Sequence, residues 1–165
     1  MIVNLRVDHR LLHGQVAFSW IKYTGANCVL IANDAVASDV LRMSALRLAK
    51  PEGVKLVMKS VDDSIAAIKS GVTDKYALFV ITESVKDADR MIEGLAGTER
   101  ALTELSLGGV KVADGKKRIS KAVFLSDAEC DAVRRIAGTG VRVTVQMVPS
   151  EPAEDALKLI DSAVA

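Results

Sequence analysis

The sequence predicts an α/β domain, a doubly wound, mostly parallel open sheet with helices on both faces. Short β-branched runs recur along the chain, and segments with apolar residues at helical spacing lie between them. The length of 165 residues, 50% of them apolar, suits a single domain and is too short for two ordinary ones. Strand, helix, strand order needs crossover connections, which are nearly always right-handed and lay helices on both faces of a parallel sheet. One domain spanning residues 1–165 around one compact core is therefore expected.

Taken in order, the expected strands are Ile2 to Val7, Cys28 to Ala32, Val54 to Met58, Tyr76 to Ile81, Ala122 to Leu125 and Val141 to Val148. A helix follows the first strand and runs through Trp20, which is read as facing the core. Val61, Ile65 and Ile68 share one helical face, as do Val85, Ala88, Ile92 and Leu95. Ser84 stands three residues before Asp87, and Ser126 three before Glu129, so each pair offers an oxygen to free amides and a carboxylate to the positive helix end. Between Glu104 and Ser120 the rhythm breaks. Leu107-Gly108-Gly109-Val110 reads as a short strand with a glycine bend, and Asp114-Gly115 before Lys116-Lys117-Arg118 as a hairpin-like basic loop.

Composition narrows the function. With 22 basic and 21 acidic residues, the net charge of +1 offers no nucleic-acid surface and no polybasic membrane anchor. Cys28 and Cys130 lie far apart, without metal-ligand spacing, and read as two buried free thiols. The opening residues reach a charge at Arg6, so neither a secretion signal nor a membrane span is expected there, and a cytoplasmic location is.

The chemistry is expected in the first loop, because open α/β sheets collect ligands at the carboxyl ends of their strands. That loop reads Asp8-His9-Arg10-Leu11-Leu12-His13-Gly14-Gln15. His13 stands just ahead of a helix start, where the amides of Gly14, Gln15 and Val16 are free to meet an anion. A phosphoryl group on the imidazole would bring close to two negative charges, which the planar fork of Arg10 can meet without a metal or other cofactor. Asp8 can accept from the second ring nitrogen or from Arg10, leaving the other nitrogen's lone pair for attack on phosphorus. Imidazole suits a carrier, since its ordinary pKa of roughly 6.5 leaves it substantially neutral near pH 7 and its phosphoryl adduct can pass the group on. On residue type alone, a histidine before a glycine at a strand-to-helix turn is more often a cap or a packed ring than a nucleophile. His9 is read as facing away from His13, toward solvent or a partner.

Arg6-Val7-Asp8-His9-Arg10-Leu11-Leu12-His13-Gly14-Gln15-Val16, with Trp20 beyond it, resembles the opening of mannose/fructose/sorbose-family IIB components of the sugar phosphotransferase system. Asn33-Asp34-Ala35-Val36-Ala37, Leu107-Gly108-Gly109-Val110, Lys121-Ala122-Val123-Phe124-Leu125 and Val145-Gln146-Met147-Val148-Pro149 resemble later family segments in the same order. The resemblance implies a phosphoryl carrier that accepts from a IIA phosphohistidine onto His13 and gives to a hexose or amino sugar held by membrane IIC and IID components. It implies phosphate binding by Arg10, Gly14 and Gln15, and orientation by Asp8. His9 departs from the family, where that position is often acidic or small and polar.

The other matched segments also have plain readings. Gly108 and Gly109 would permit a bend with positive φ and secondarily line the rim near His13, while Asn33 and Asp34 would cap a turn and reach the active loop. The basic run would be a solvated loop or a docking point for an acidic partner. Two rival functions come from other classes. A phosphohistidine phosphatase or mutase usually has arginine directly before the histidine, where this chain has Leu12; a non-catalytic nucleotide or phosphate-binding regulatory domain would want a glycine-rich phosphate loop after the first strand, and none follows. The sugar, the modified ring nitrogen and the oligomeric state, homodimer included, are left open by the sequence.

Overall fold

A computed structural model describes residues 1–14 and 16–163. Seven strands form the main sheet: β1 (Ile2–Asp8), β2 (Cys28–Ala32), β3 (Lys55–Lys59), β4 (Leu78–Thr82), β5 (Glu104–Gly109), β8 (Arg142–Val145) and β9 (Glu154–Asp155). Their order is β3-β2-β4-β1-β5-β8-β9, with every pair parallel except the last. A separate two-stranded hairpin joins β6 (Lys117–Arg118) to β7 (Phe124–Leu125). The doubly wound, mostly parallel architecture read from the sequence is the one observed.

Side-chain alternation decides what each face of the sheet buries. Leu5, Val7, Leu30, Leu78 and Val80 point to one side, against α4 (Val61–Lys69), α5 (Val85–Leu95), α6 (Asp127–Gly138) and α7 (Ala156–Ala163). Val29, Ile31, Phe79 and Ile81 point to the other, where they meet Leu11, Leu12, Val16, Ala17, Trp20, Ile21 and Val36. Those partners come from the first loop, a π-helical segment (Val16–Trp20) continued by α1 (Ile21–Thr24), and α2 (Asp34–Ala37), with α3 (Val40–Arg47) alongside. The expected single core is thus two apolar layers divided by the sheet.

The helix starts follow their capping signals. Ser84 Oγ accepts from Asp87 N at 3.1 Å, and Ser126 and Glu129 bond each other's amides reciprocally at α6. At the end of α1 the chain turns through Gly25 at φ 69°, a left-handed conformation that favours a residue without Cβ. Cys28 and Cys130 are buried and free, and burial raises both thiol pKa values.

The stretch 104–125 differs from its expected form. Instead of a short strand and a bend, β5 has six residues and fills a central place beside β1. Ala122 to Leu125 is no main-sheet strand: it contributes β7 to the hairpin, with only Val110 bridging to Val123. Lys116 and Lys117 are paired to Glu129 and Asp127 at 3.0 and 2.8 Å, so the basic run is fastened to the first turn of α6. The strand expected through Val148 stops at Val145, where residues 146–153 turn toward β9.

Candidate active site

β1 carries the site. Arg6 and Asp8 alternate out of the same face of this doubly paired strand, and both are fully buried. At its carboxyl end Asp8 pairs with Gly109 of β5, and the register slips between Val7 and Asp8, so Gly108 is the extra residue of a bulge. The chain then turns sharply. Leu11 N donates to Asp8 O at 2.9 Å, and Leu11 adopts φ 57° with its side chain wholly buried. A left-handed leucine is uncommon and costs roughly 1–3 kcal/mol, a strain that burial of its side chain helps to hold.

That turn folds His13 back over Asp8. Nε2 of His13 lies 3.1 Å from Asp8 Oδ2, while Asp8 Oδ1 accepts from Arg10 N at 3.0 Å and from Arg10 Nε at 3.3 Å. Burial by itself would raise the Asp8 carboxyl's pKa; the hydrogen bonds from His13 and from the amide and guanidinium of Arg10 outweigh it and hold the value at about 2. Asp8 is therefore an ionised acceptor near neutral pH, and the ring nitrogen facing it must supply the proton. In the neutral ring this leaves the lone pair on Nδ1.

The helix behind the loop begins irregularly. Ala17 N donates to His13 O at 2.8 Å, and the helix opens into the π-turn over Val16–Trp20 before tightening into α1. Such turns are frequent at functional sites. Gly14 is exposed, and a Cβ there would meet nothing within 4 Å, so space is open beside His13. Gln15, the other expected phosphate-binding residue, lies outside the described residues.

The matching family model is described as "PTS system sorbose subfamily IIB component" and covers residues 2–165. The chain belongs to the sorbose subfamily of IIB components of the sugar phosphotransferase system. A curated relative, the N-acetylgalactosamine-specific phosphotransferase enzyme IIB component 2 of Escherichia coli, is 31% identical over 96% of this chain and 98% of its own length. The crystal structure of the IIBSor domain of the sorbose permease from Klebsiella pneumoniae superposes with a TM-score of 0.90 at 30% identity, covering 98% of this chain and 97% of that one. The mannose-specific EIIAB component of Escherichia coli is 29% identical over 98% of this chain, which spans 48% of that relative. IIB components are phosphotransferases, and this chain is a phosphoryl-transfer domain of that kind.

Within this IIB domain the sequence-predicted residues fall into two groups. Asp8, Arg10 and His13 come together. Asp34 does not join them: it is exposed, accepts from Val61 N at 2.9 Å and from Arg90 Nη1 at 2.8 Å, and so fastens the end of β2 to α4 and α5. Asn33 does cap α2, accepting from Val36 N at 2.9 Å, but its amide nitrogen donates to Glu83 and not to the active loop.

The two glycines of β5 do not make the expected bend. Neither has a positive φ. A Cβ on Gly108 would stand 2.0 Å from Arg6 Nη2, and one on Gly109 3.1 Å from Asp8 Oδ1 and 3.3 Å from His9 Nδ1. They leave room for side chains of the neighbouring strand. His9 is accordingly half-buried, its amide donates to Gly109 O at 2.9 Å, and its Nδ1 has no solvent contact, so the ring does not simply face outward.

Proposed function

We propose that His13 is the residue that carries the phosphoryl group in this IIB domain, and that Nδ1 is the nitrogen modified. The observation that carries the reading is the bond between Nε2 and a buried, ionised Asp8, which selects the tautomer with a nucleophilic Nδ1. The Nδ1 lone pair attacks the phosphorus of a IIA phosphohistidine, the donor's P–N bond breaks, and its imidazole leaves with the bonding pair. In the second step a sugar hydroxyl oxygen attacks, the P–Nδ1 bond breaks, and the hydroxyl proton passes to a base on the acceptor side. His13 then returns to its starting form.

Arg10 is the phosphate clamp in this scheme. Its Nε rests on Asp8, yet its side chain is 44% exposed, leaving the rest of the guanidinium able to reach a phosphoryl group on the neighbouring ring. The amide of Gly14, just after His13, adds to the donor set, and Asp8 keeps the imidazole oriented throughout. The rest of the described chain forms the single domain that supports this loop.

The donor is a IIA domain, a partner that the EIIAB name of the mannose-specific relative brings to mind, and the acceptor is sugar held by membrane IIC and IID proteins. Among the described residues no helix is long and apolar enough to cross a membrane, so sugar would be met at a partner's surface. Relatives at similar identity are named for N-acetylgalactosamine and mannose, so the shared chemistry is phosphoryl transfer to a hexose or amino sugar.

The test is labelling of wild type and His13→Ala with phosphoenolpyruvate, the general phosphotransferase proteins and an active IIA. One acid-labile phosphoryl group on wild type, absent from a folded His13→Ala, is the expected result. Label retained by His13→Ala would overturn the assignment.

A further inference from the structure

Arg6 is completely buried, and the phosphoryl chemistry above makes no use of it. Its Nη1 donates to Gln146 O at 2.8 Å and to Ser106 Oγ at 3.2 Å, and its Nη2 donates to Met147 O at 2.8 Å. The guanidinium carbon lies 4.5 Å from the centre of the Trp20 ring, whose Nε1 donates to the same Met147 carbonyl at 3.0 Å. The remaining nitrogen, Nε, is buried without a partner. Space for this group exists because β5 has no side chain at position 108.

One side chain thus joins the strand that ends in Asp8, the helix behind His13 and the turn after β8. Packing alone does not call for a charge in that place. Burying a cation carries a desolvation penalty of several kcal/mol, and an apolar residue of similar volume often serves stability as well or better. Burial pulls the Arg6 pKa down to about 10, with Asp8 opposing and Arg10 adding to the effect, so the group remains cationic at neutral pH.

We propose that Arg6 is a positioning residue for phosphoryl transfer, tying Trp20 and the 146–147 backbone together beneath the loop and setting a fixed positive charge behind the Asp8–His13 pair. This inference rests on the reading of His13 as the phosphoryl carrier. Held between the Gln146 and Met147 carbonyls and the Trp20 ring, the guanidinium fixes the helix behind His13 against the strand that ends in Asp8, so the imidazole stays seated on its carboxylate without Arg6 touching the phosphoryl group. The charged or titratable groups set against the pair are Arg10 and His9 in the loop and Arg6 below. From β5 come Ser106 and two glycines, and from residues 146–147 come backbone carbonyls.

The experiment compares full-length wild type, Arg6→Met, Arg6→Lys and Trp20→Phe, each checked for native fold by circular dichroism and thermal unfolding. Transfer from phosphorylated IIA is measured as kcat and KM across pH. Wild type should label at His13, and Arg6→Met should lose roughly tenfold or more in kcat with KM little changed, at every pH measured. Arg6→Lys, which keeps the charge and part of the donor set, should recover part of that kcat, and Trp20→Phe, which loses the bond to the Met147 carbonyl, should lower kcat with KM little changed. A folded Arg6→Met with the wild-type kcat and profile overturns the proposal. If Arg6→Met does not fold, wild-type kcat in both Arg6→Lys and Trp20→Phe overturns it equally. Wild type that takes no label at His13 overturns the carrier reading and this inference together, whereas labelled wild type with indifferent variants overturns this inference alone.

Discussion

Asp8 Oδ2 and His13 Nε2 stand 3.1 Å apart, the carboxylate at the last position of β1 and the imidazole returned to it by a left-handed turn at Leu11. An ionised carboxylate only accepts, so this contact orders both the orientation and the protonation of the ring. Replacing Asp8 with Asn keeps the shape but removes the charge and lets an amide N–H face the ring. Phosphoryl transfer to His13 should fall by roughly 100-fold, as for loss of a positioned acid–base partner. The initial rate of labelling from phosphorylated IIA measures this; a rate within a factor of two of wild type would remove Asp8 from the mechanism.

Arg10→Lys preserves a positive charge and discards the planar fork. Lysine cannot lean on Asp8 with one nitrogen and hold two phosphoryl oxygens with others, so transfer should slow by roughly tenfold, the equivalent of about one charge-assisted hydrogen bond. Stability should change little, since the side chain is nearly half exposed. Unaltered transfer kinetics would assign the phosphate contact to other groups.

Acid should weaken the fold through Asp8. Its pKa in the folded chain is about 2, below the ordinary 3.8, so its stabilisation is fully present above about pH 4 and disappears as pH falls toward 2. The amount is about 2 kcal/mol. Asp34, Asp74 and Asp127 are shifted the same way, but they are exposed and their pairs are screened. Urea unfolding of wild type and Asp8→Asn across this range should show their difference shrinking on acidification, and a constant difference down to about pH 2 would contradict the assignment.

Gly108→Ala should be among the most damaging small substitutions in the chain. Its Cβ would lie between 2.0 and 2.5 Å from three guanidinium atoms of a fully buried Arg6, which is held on its other side by the carbonyls of 146 and 147. Overpacking of this kind costs about 1–3 kcal/mol, with the upper end expected here. Gly14→Ala, where a Cβ meets nothing within 4 Å, is the control and should leave the unfolding midpoint nearly unchanged. Equal midpoints for the two variants would show that Arg6 can move aside.

The legible parts of this protein are those governed by local rules. β-branched runs marked β1 to β4, helical spacing marked α4 and α5, and Ser126 with Glu129 marked the start of α6, because propensity and capping act within a few residues. The short helices α2, α3 and α7 gave weaker signals; α3 exposes Val40, Leu41 and Leu48 just beyond it, so no clean apolar stripe announces it. Gly108 and Gly109 were misread for a three-dimensional reason. A glycine pair suggests a bend, and nothing nearby in sequence says that Arg6, a hundred residues earlier, needs the volume. Asp34 likewise looked like a site residue until its partners, Val61 and Arg90, were placed beside it by the fold. The meeting of Asp8, Arg10 and His13 was easier to anticipate, since all lie within six residues. Arg6 left one signal unused, a charged residue inside the first strand and in phase with Asp8.

The place of β1 in the sheet ties chemistry to global integrity. Hydrogen-bonded on both sides, to β4 and β5, it cannot release Asp8 by fraying at an edge. Amide hydrogen exchange along Leu5 to Asp8 should therefore require opening near the full unfolding free energy, whereas the edge strands β3 and β9 exchange through smaller fluctuations. A partly opened chain that has lost only its periphery would remain a competent carrier, and one that has lost the dyad would already be a substrate for proteases.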